Sequence, residues 1–208
     1  HEFTNIAAEK KGRLIINMPP RHTKSEFASI YFPAWMIGKF PKMKIMQVSH
    51  NTELAVRFGS KVRNIVASPE YKQIFGDVKL REDSKAKGRW ETNHGGEYFA
   101  AGVGGSITGR GADLLIIDDP HTEQDSMSDS AMDRAYEWYN SGPRQRLQPG
   151  GRICVVMTRW ATDDLTGRLI KAQSEPKADK WQVIEFPAIL PNDEPVWPEY
   201  WSKEDLES

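Results

Sequence analysis

Four short apolar runs, at residues 14–17, 44–49, 114–117 and 153–157, stand out along the chain. They are short and nearly unbroken in hydrophobicity, which suits strands of a parallel sheet covered on both faces. The first two are separated by a helix-like stretch at 25–37. The second is followed by Leu54, Phe58, Val62, Ile65 and Val66, which fall on one helical face. This β-α-β order predicts the α/β class. The middle of the chain reads differently. Residues 89–92 and 97–100 look like two strands joined by Asn93-His94-Gly95-Gly96, a hairpin signal, so an antiparallel addition to a mainly parallel central sheet is expected. Helical patterns return at 131–139, stopping near Gly142-Pro143, and from Asp163-Asp164 to about Ala172, before a last strand at 182–186. Helices on both faces of the sheet follow from this alternation.

Composition narrows the picture. With 208 residues and 38% hydrophobic content, the chain can bury one substantial core, and no repeat or long linker divides it, so one domain over 1–208 is expected. Lys and Arg total 28 against 29 Asp and Glu, a formal net charge of -1, so any contact with nucleic acid must come from a local patch. The single cysteine, Cys154, cannot form an internal disulfide, which suits a reducing compartment. No apolar stretch is long enough to span a bilayer and no signal-peptide layout opens the chain, so a soluble cytoplasmic protein is expected.

Three segments carry candidate chemistry. Leu14 to Glu26 reads as a strand, a tight loop containing Pro20, Arg21, His22 and Thr23, and a helix start at Lys24-Ser25. A phosphate-binding loop needs this arrangement. Backbone N–H groups cradle phosphate oxygens, a lysine neutralises the β/γ charge and a hydroxyl coordinates magnesium, roles that Lys24 and Ser25 fit. The usual glycine pair is replaced by Met18 and Thr23. The plainer alternative is a strand-turn-helix in which Lys24 and Ser25 only start the helix. In the second segment an apolar run ends in Asp118-Asp119-Pro120. Adjacent ionised carboxylates repel and want a cation, so Asp118 is the candidate magnesium ligand and Asp119 the group that orients or activates water. A simple turn aspartate before Pro120 is the competing explanation. The third apolar run ends in Thr158, which parallel strands would deliver to the same sheet edge, where a hydroxyl could sense the γ-phosphate.

The stretches "NMPPRHTKSE", "GSITGRGADLLIIDDP" and "VVMTRWATDDLTGRLI", in that order, resemble the large terminase subunits of tailed bacteriophages, and the resemblance covers most of the chain. It implies a RecA-like, additional-strand P-loop NTPase fold and Mg2+-dependent ATP hydrolysis that drives double-stranded DNA into a procapsid. It also implies a homo-oligomeric ring, with the isolated chain a monomer. The implied partners are the portal protein and the small terminase subunit, in the host cytoplasm at the procapsid portal. Family members carry a nuclease domain after the motor, of which this sequence shows nothing, so no nuclease activity is expected, and their adenine contacts usually come from an upstream helical segment. By the resemblance, Met18 and Arg21 fit the family's phosphate loop. Arg21 would touch the γ-phosphate within its own subunit, Arg110 is the candidate finger reaching a neighbour's site, and Thr158 matches the motif coupling hydrolysis to movement. Two departures stand out. Thr23 occupies a position where glycine is usual, and Asp119 one where glutamate is usual, leaving Glu123 as a rival base.

Two other readings stay open at this level. A helicase-like ATPase of superfamily 2 shares the fold but needs a second RecA-like domain, which 208 residues do not show. A non-hydrolysing nucleotide- or DNA-binding module is favoured by Thr23 and the Asp-Asp pair. Asp163 and Asp164, at a helix start, are expected to cap that helix rather than bind metal.

Overall fold

The computed structural model describes residues 2–8, 12–107 and 109–207. Its strands are β1 (Arg13–Asn17), β2 (Lys44–Ser49), β3 (Leu80–Ala86), β4 (Arg89–Thr92), β5 (Glu97–Gly102), β6 (Ala112–Asp118), β7 (Leu147–Met157) and β8 (Gln182–Glu185). They form one sheet in the order β3-β4-β5-β2-β6-β7-β1-β8. From β5 to β8 all neighbours are parallel, while β4 pairs antiparallel with both β5 and β3. The chain is therefore α/β, with a mostly parallel sheet and an antiparallel part at one edge.

Alternation along the strands sorts the two faces. Leu14, Ile45, Leu114, Ile116, Cys154 and Val156 belong to one buried cluster, packed with α2 (Phe32–Lys39), α3 (Thr52–Val66) and α4 (Pro69–Phe75). Ile15, Met46, Val48, Leu115, Ile117 and Val155 belong to a second, packed with α5 (Asp129–Ser141) and α6 (Leu165–Ala172). Since successive side chains point to opposite faces, unbroken apolar strands require helices on both sides, as found. Short helices α1 (Glu2–Ala7) and α7 (Lys203–Glu207) lie near the ends of the described chain. Local chemistry sets the helix starts. Asn51 accepts from Leu54 N at 2.8 Å, Ser68 from Tyr71 N at 3.2 Å ahead of Pro69, and Asp164 from Gly167 N at 2.9 Å. At Gly59 the backbone of α3 lies against the β3–β4 turn, where a Cβ would stand 2.8 Å from Lys87 O and 2.9 Å from the Tyr98 ring.

The hairpin at 93–96 forms as expected, with Arg89 opposite Phe99 and Trp90 opposite Tyr98. The structure adds β3, whose alternation is obscured by the charged run Arg81-Glu82-Asp83, and α4, too short to show a period. Where one continuous helix is expected over 25–37, the turn Glu26–Tyr31 is a π-helix that leads into α2. Such a turn weakens the regular ladder and tends to sit where a function needs it. Among the described residues no helix is long and apolar enough to cross a membrane.

Candidate active site

The parallel strands point their C-terminal ends at one edge of the sheet, where open α/β sheets take ligands. Here β1 ends at Asn17, and Met18 N still donates to Met157 O of β7 at 3.1 Å. Pro19 and Pro20 then take the chain out of the sheet, because proline has no N–H to donate to the ladder. The loop closes with two left-handed residues, Arg21 at φ 59° and Thr23 at φ 61°, before the helix starts at Lys24. A β-branched residue in this region costs about 1–3 kcal/mol. Such a backbone favours glycine, and at position 23 this chain has threonine. The Thr23 hydroxyl donates to His22 O at 2.7 Å. His22 is buried; its Nδ1 lies 2.8 Å from Pro20 O, and its ring stacks on Trp201 at 5.9 Å. Arg21 and Pro20 are exposed, and among the described residues no hydrogen bond or ion pair engages the Arg21 side chain.

Two strands away, β6 delivers the acids. Asp118 is fully buried, and both of its oxygens are held by the helix after the loop. Ser25 Oγ donates to Oδ1 at 3.0 Å and Ser29 Oγ to Oδ2 at 2.5 Å. Gln47 Nε2 of β2 donates in turn to Ser29 Oγ at 3.2 Å. Burial, together with the neighbouring charge of Asp119, pushes the Asp118 pKa up to about 7, against the pull of the two hydroxyls and Lys24. Asp119 also has positive φ, 43°, which turns its carboxylate toward the loop. Lys24 Nζ meets Oδ2 at 2.9 Å, and Thr158 N donates to Oδ1 at 2.8 Å. Lys24 is buried, so this pair is shielded from the solvent that weakens exposed ones.

The structure therefore brings Lys24, Ser25, Asp118, Asp119 and Thr158 together from loop, helix and two strand ends. Thr158 links the two halves, since its hydroxyl donates to Met18 O at 3.2 Å while its amide holds Asp119. Glu123 is exposed, and among the described residues its carboxylate makes no hydrogen bond or ion pair. Arg110 lies elsewhere, before β6 begins, at the opposite edge of the sheet. There it ion-pairs with Glu97 and lies over the Phe99 ring at 4.3 Å. Strand β6 separates it from Asp118 by roughly 20 Å, so it cannot reach the site of its own subunit. Asp164 caps α6 and is gripped by Arg159 Nε at 2.9 and 3.0 Å.

Ser29 and Gln47 are site residues that motif reading passes over. Ser29 follows Ser25 by one helical turn in an otherwise apolar run, and Gln47 interrupts the apolar β2; both signals exist but carry no known spacing. One hydroxyl and one carboxylate suit a hard cation such as magnesium, which favours oxygen ligands and completes its shell with water and phosphate. Ser25 and Asp118, already 3.0 Å apart, fit that donor set. Among the described residues no three His, Cys, Asp or Glu side chains converge as an all-protein cage would need. Comparison with protein-family models and with curated proteins finds no match.

Proposed function

We propose that this chain is the ATP-hydrolysing motor domain of a DNA-packaging terminase large subunit, acting on double-stranded DNA as a ring with portal and small-subunit partners. The observation that carries the ATPase part is the meeting of Ser25 with Asp118 and of Lys24 with Asp119 at a single sheet edge. The strand order supports the RecA-like, additional-strand form of the fold, because β7 lies between the loop strand β1 and the acid strand β6. In this reading Ser25 and Asp118 hold magnesium, which neutralises phosphate charge when bound. Lys24 leaves Asp119 for the phosphate oxygens. That exchange frees one oxygen of Asp119 to orient the attacking water while Thr158 N keeps the other in place. Arg21, exposed beside the loop, neutralises the γ-phosphate, and Arg110 serves a neighbour's site across the ring interface.

Phosphate release from ATP, measured with magnesium and with and without double-stranded DNA, tests the proposal. Lys24→Ala should lower turnover at least about 100-fold with an unchanged circular dichroism spectrum. Undiminished turnover in that variant would reject the site. Thr23 at positive φ and the short Asp119 favour a second reading, nucleotide binding without hydrolysis. Tight ATP binding with no phosphate release, in oligomer and with DNA, would support it instead.

A further inference from the structure

Beside the phosphate loop, between the ends of β1, β7 and β8, lies a cleft of about 370 Å³, large enough for a small organic group. Pro19 and Pro20 of the loop line it together with Phe186, directly after β8, which has 40% of its surface exposed. The Phe186 backbone is fixed by donation from its N–H to Asn17 O at 2.9 Å. Two polar groups face one another at the rim. Glu185 accepts from Asn17 Nδ2 at 3.0 Å, and the Arg159 guanidinium stands 3.8 Å from the same Glu185 oxygen. Arg159, its side chain one-third exposed, is tethered at Nε by the fully buried Asp164, which leaves Nη1 on the Glu185 side. Thr158 lines the same cleft and donates to Met18 O, so the cleft adjoins the strand end from which the loop departs.

We propose that this cleft receives the base of the nucleotide whose phosphates lie on the loop, a reading that rests on the nucleotide site proposed above. A flat ring stacks on the exposed Phe186, in the cleft that the loop prolines also line. Glu185 offers an acceptor and Arg159 a donor side by side, which matches an exocyclic amine next to an unprotonated ring nitrogen. Adenine presents that pair at N6 and N1; on the same edge guanine presents the O6 carbonyl next to a protonated N1, which opposes it. The base contacts thus come from residues after β8 within this chain, not only from a segment upstream of the loop.

The test is equilibrium binding, with magnesium, of ATP, GTP and inorganic tripolyphosphate to the wild-type chain, Phe186→Ala and Glu185→Ala. Phe186→Ala should weaken ATP on the order of tenfold, the scale of one lost base–aromatic stack, and leave tripolyphosphate affinity unchanged. Glu185→Ala should narrow the ATP-over-GTP preference. Wild-type ATP binding no tighter than tripolyphosphate, or ATP affinity equal in wild type and Phe186→Ala, overturns the base site while leaving the phosphate site standing. If neither ATP nor tripolyphosphate binds the wild type, the nucleotide reading fails and takes the base site with it. Phe186→Leu, which keeps apolar bulk without an aromatic face, separates loss of stacking from any disturbance of the β8 end.

Discussion

The two edges of the sheet handle charge in opposite ways. Where the parallel strands begin, charges are paired across neighbouring elements. Arg13 and Arg144 share Asp179, and Arg89 and Arg110 share Glu97. Such half-exposed pairs contribute little individually and strain nothing. Where the strands end, Asp118 is buried with its carboxyl pushed up to about 7, and Lys24 must serve Asp119 beside it. Three of the four non-glycine residues with positive φ among the described residues, Arg21, Thr23 and Asp119, also cluster there. One edge is built to be stable as it stands. The other holds a buried acid and a strained backbone side by side, the pattern expected of a functional site.

The largest test of this contrast concerns Arg110, the one proposed site residue on the quiet edge. If it acts on a neighbour, Arg110→Ala should lower ring-dependent turnover by roughly 10³ or more, yet change stability by less than about 1 kcal/mol, because Glu97 keeps Arg89. Mixing it with Lys24→Ala subunits should restore part of the activity, since some interfaces then hold both groups. Mixed oligomers as inactive as either parent would reduce Arg110 to a partner of Glu97.

A change at the strained edge should have the opposite signature. Asp118 has a folded pKa near 7, above its ordinary value, so between about pH 4 and pH 7 the folded state binds more protons than the unfolded one. Stability from this group is therefore present at low pH and falls as pH rises through that window. Asp118→Asn removes the penalty. Thermal melts without ligand should show it more stable than wild type at pH 8, on the order of 2–4 kcal/mol, and no different near pH 4, while magnesium-dependent hydrolysis is lost. A lower melting temperature at pH 8 would show that the carboxylate is not strained.

Ser29→Ala sharpens the same point with a smaller effect. Removing a donor from the buried carboxylate should move the acid limb of the pH–rate profile upward by about one unit and raise the magnesium concentration for half-activity several-fold, a charge-assisted bond being worth about 1.5–3 kcal/mol. A merely structural serine would change the melting temperature and leave both profiles where they were. The smallest effect belongs to Thr23→Gly. Relief of strain and added chain entropy nearly cancel, within about 1 kcal/mol, so nucleotide affinity is the readout and should be unchanged or tighter. A tenfold weakening would mean that the Thr23 hydroxyl binds the nucleotide.

Much of this edge was legible along the chain. The apolar runs that become β1, β2, β6 and β7 are visible because strands buried on both faces cannot alternate, and Lys24, Ser25 and Asp118-Asp119 are visible because they stand where such runs stop. The hairpin Asn93-His94-Gly95-Gly96 also announces itself, since turn chemistry is local. Strand order is not local. Only the folded sheet inserts β7 between β1 and β6, so that Thr158 can touch both Met18 and Asp119. The place of Arg110 before the acid strand is legible, but its contacts with Glu97 and Phe99 at the far edge are set only by the fold. The π turn at Glu26–Tyr31 and the Ser29–Gln47 contact depend on packing between a helix and a strand far apart in sequence, and a one-dimensional pattern records side-chain type but not which distant partner it meets.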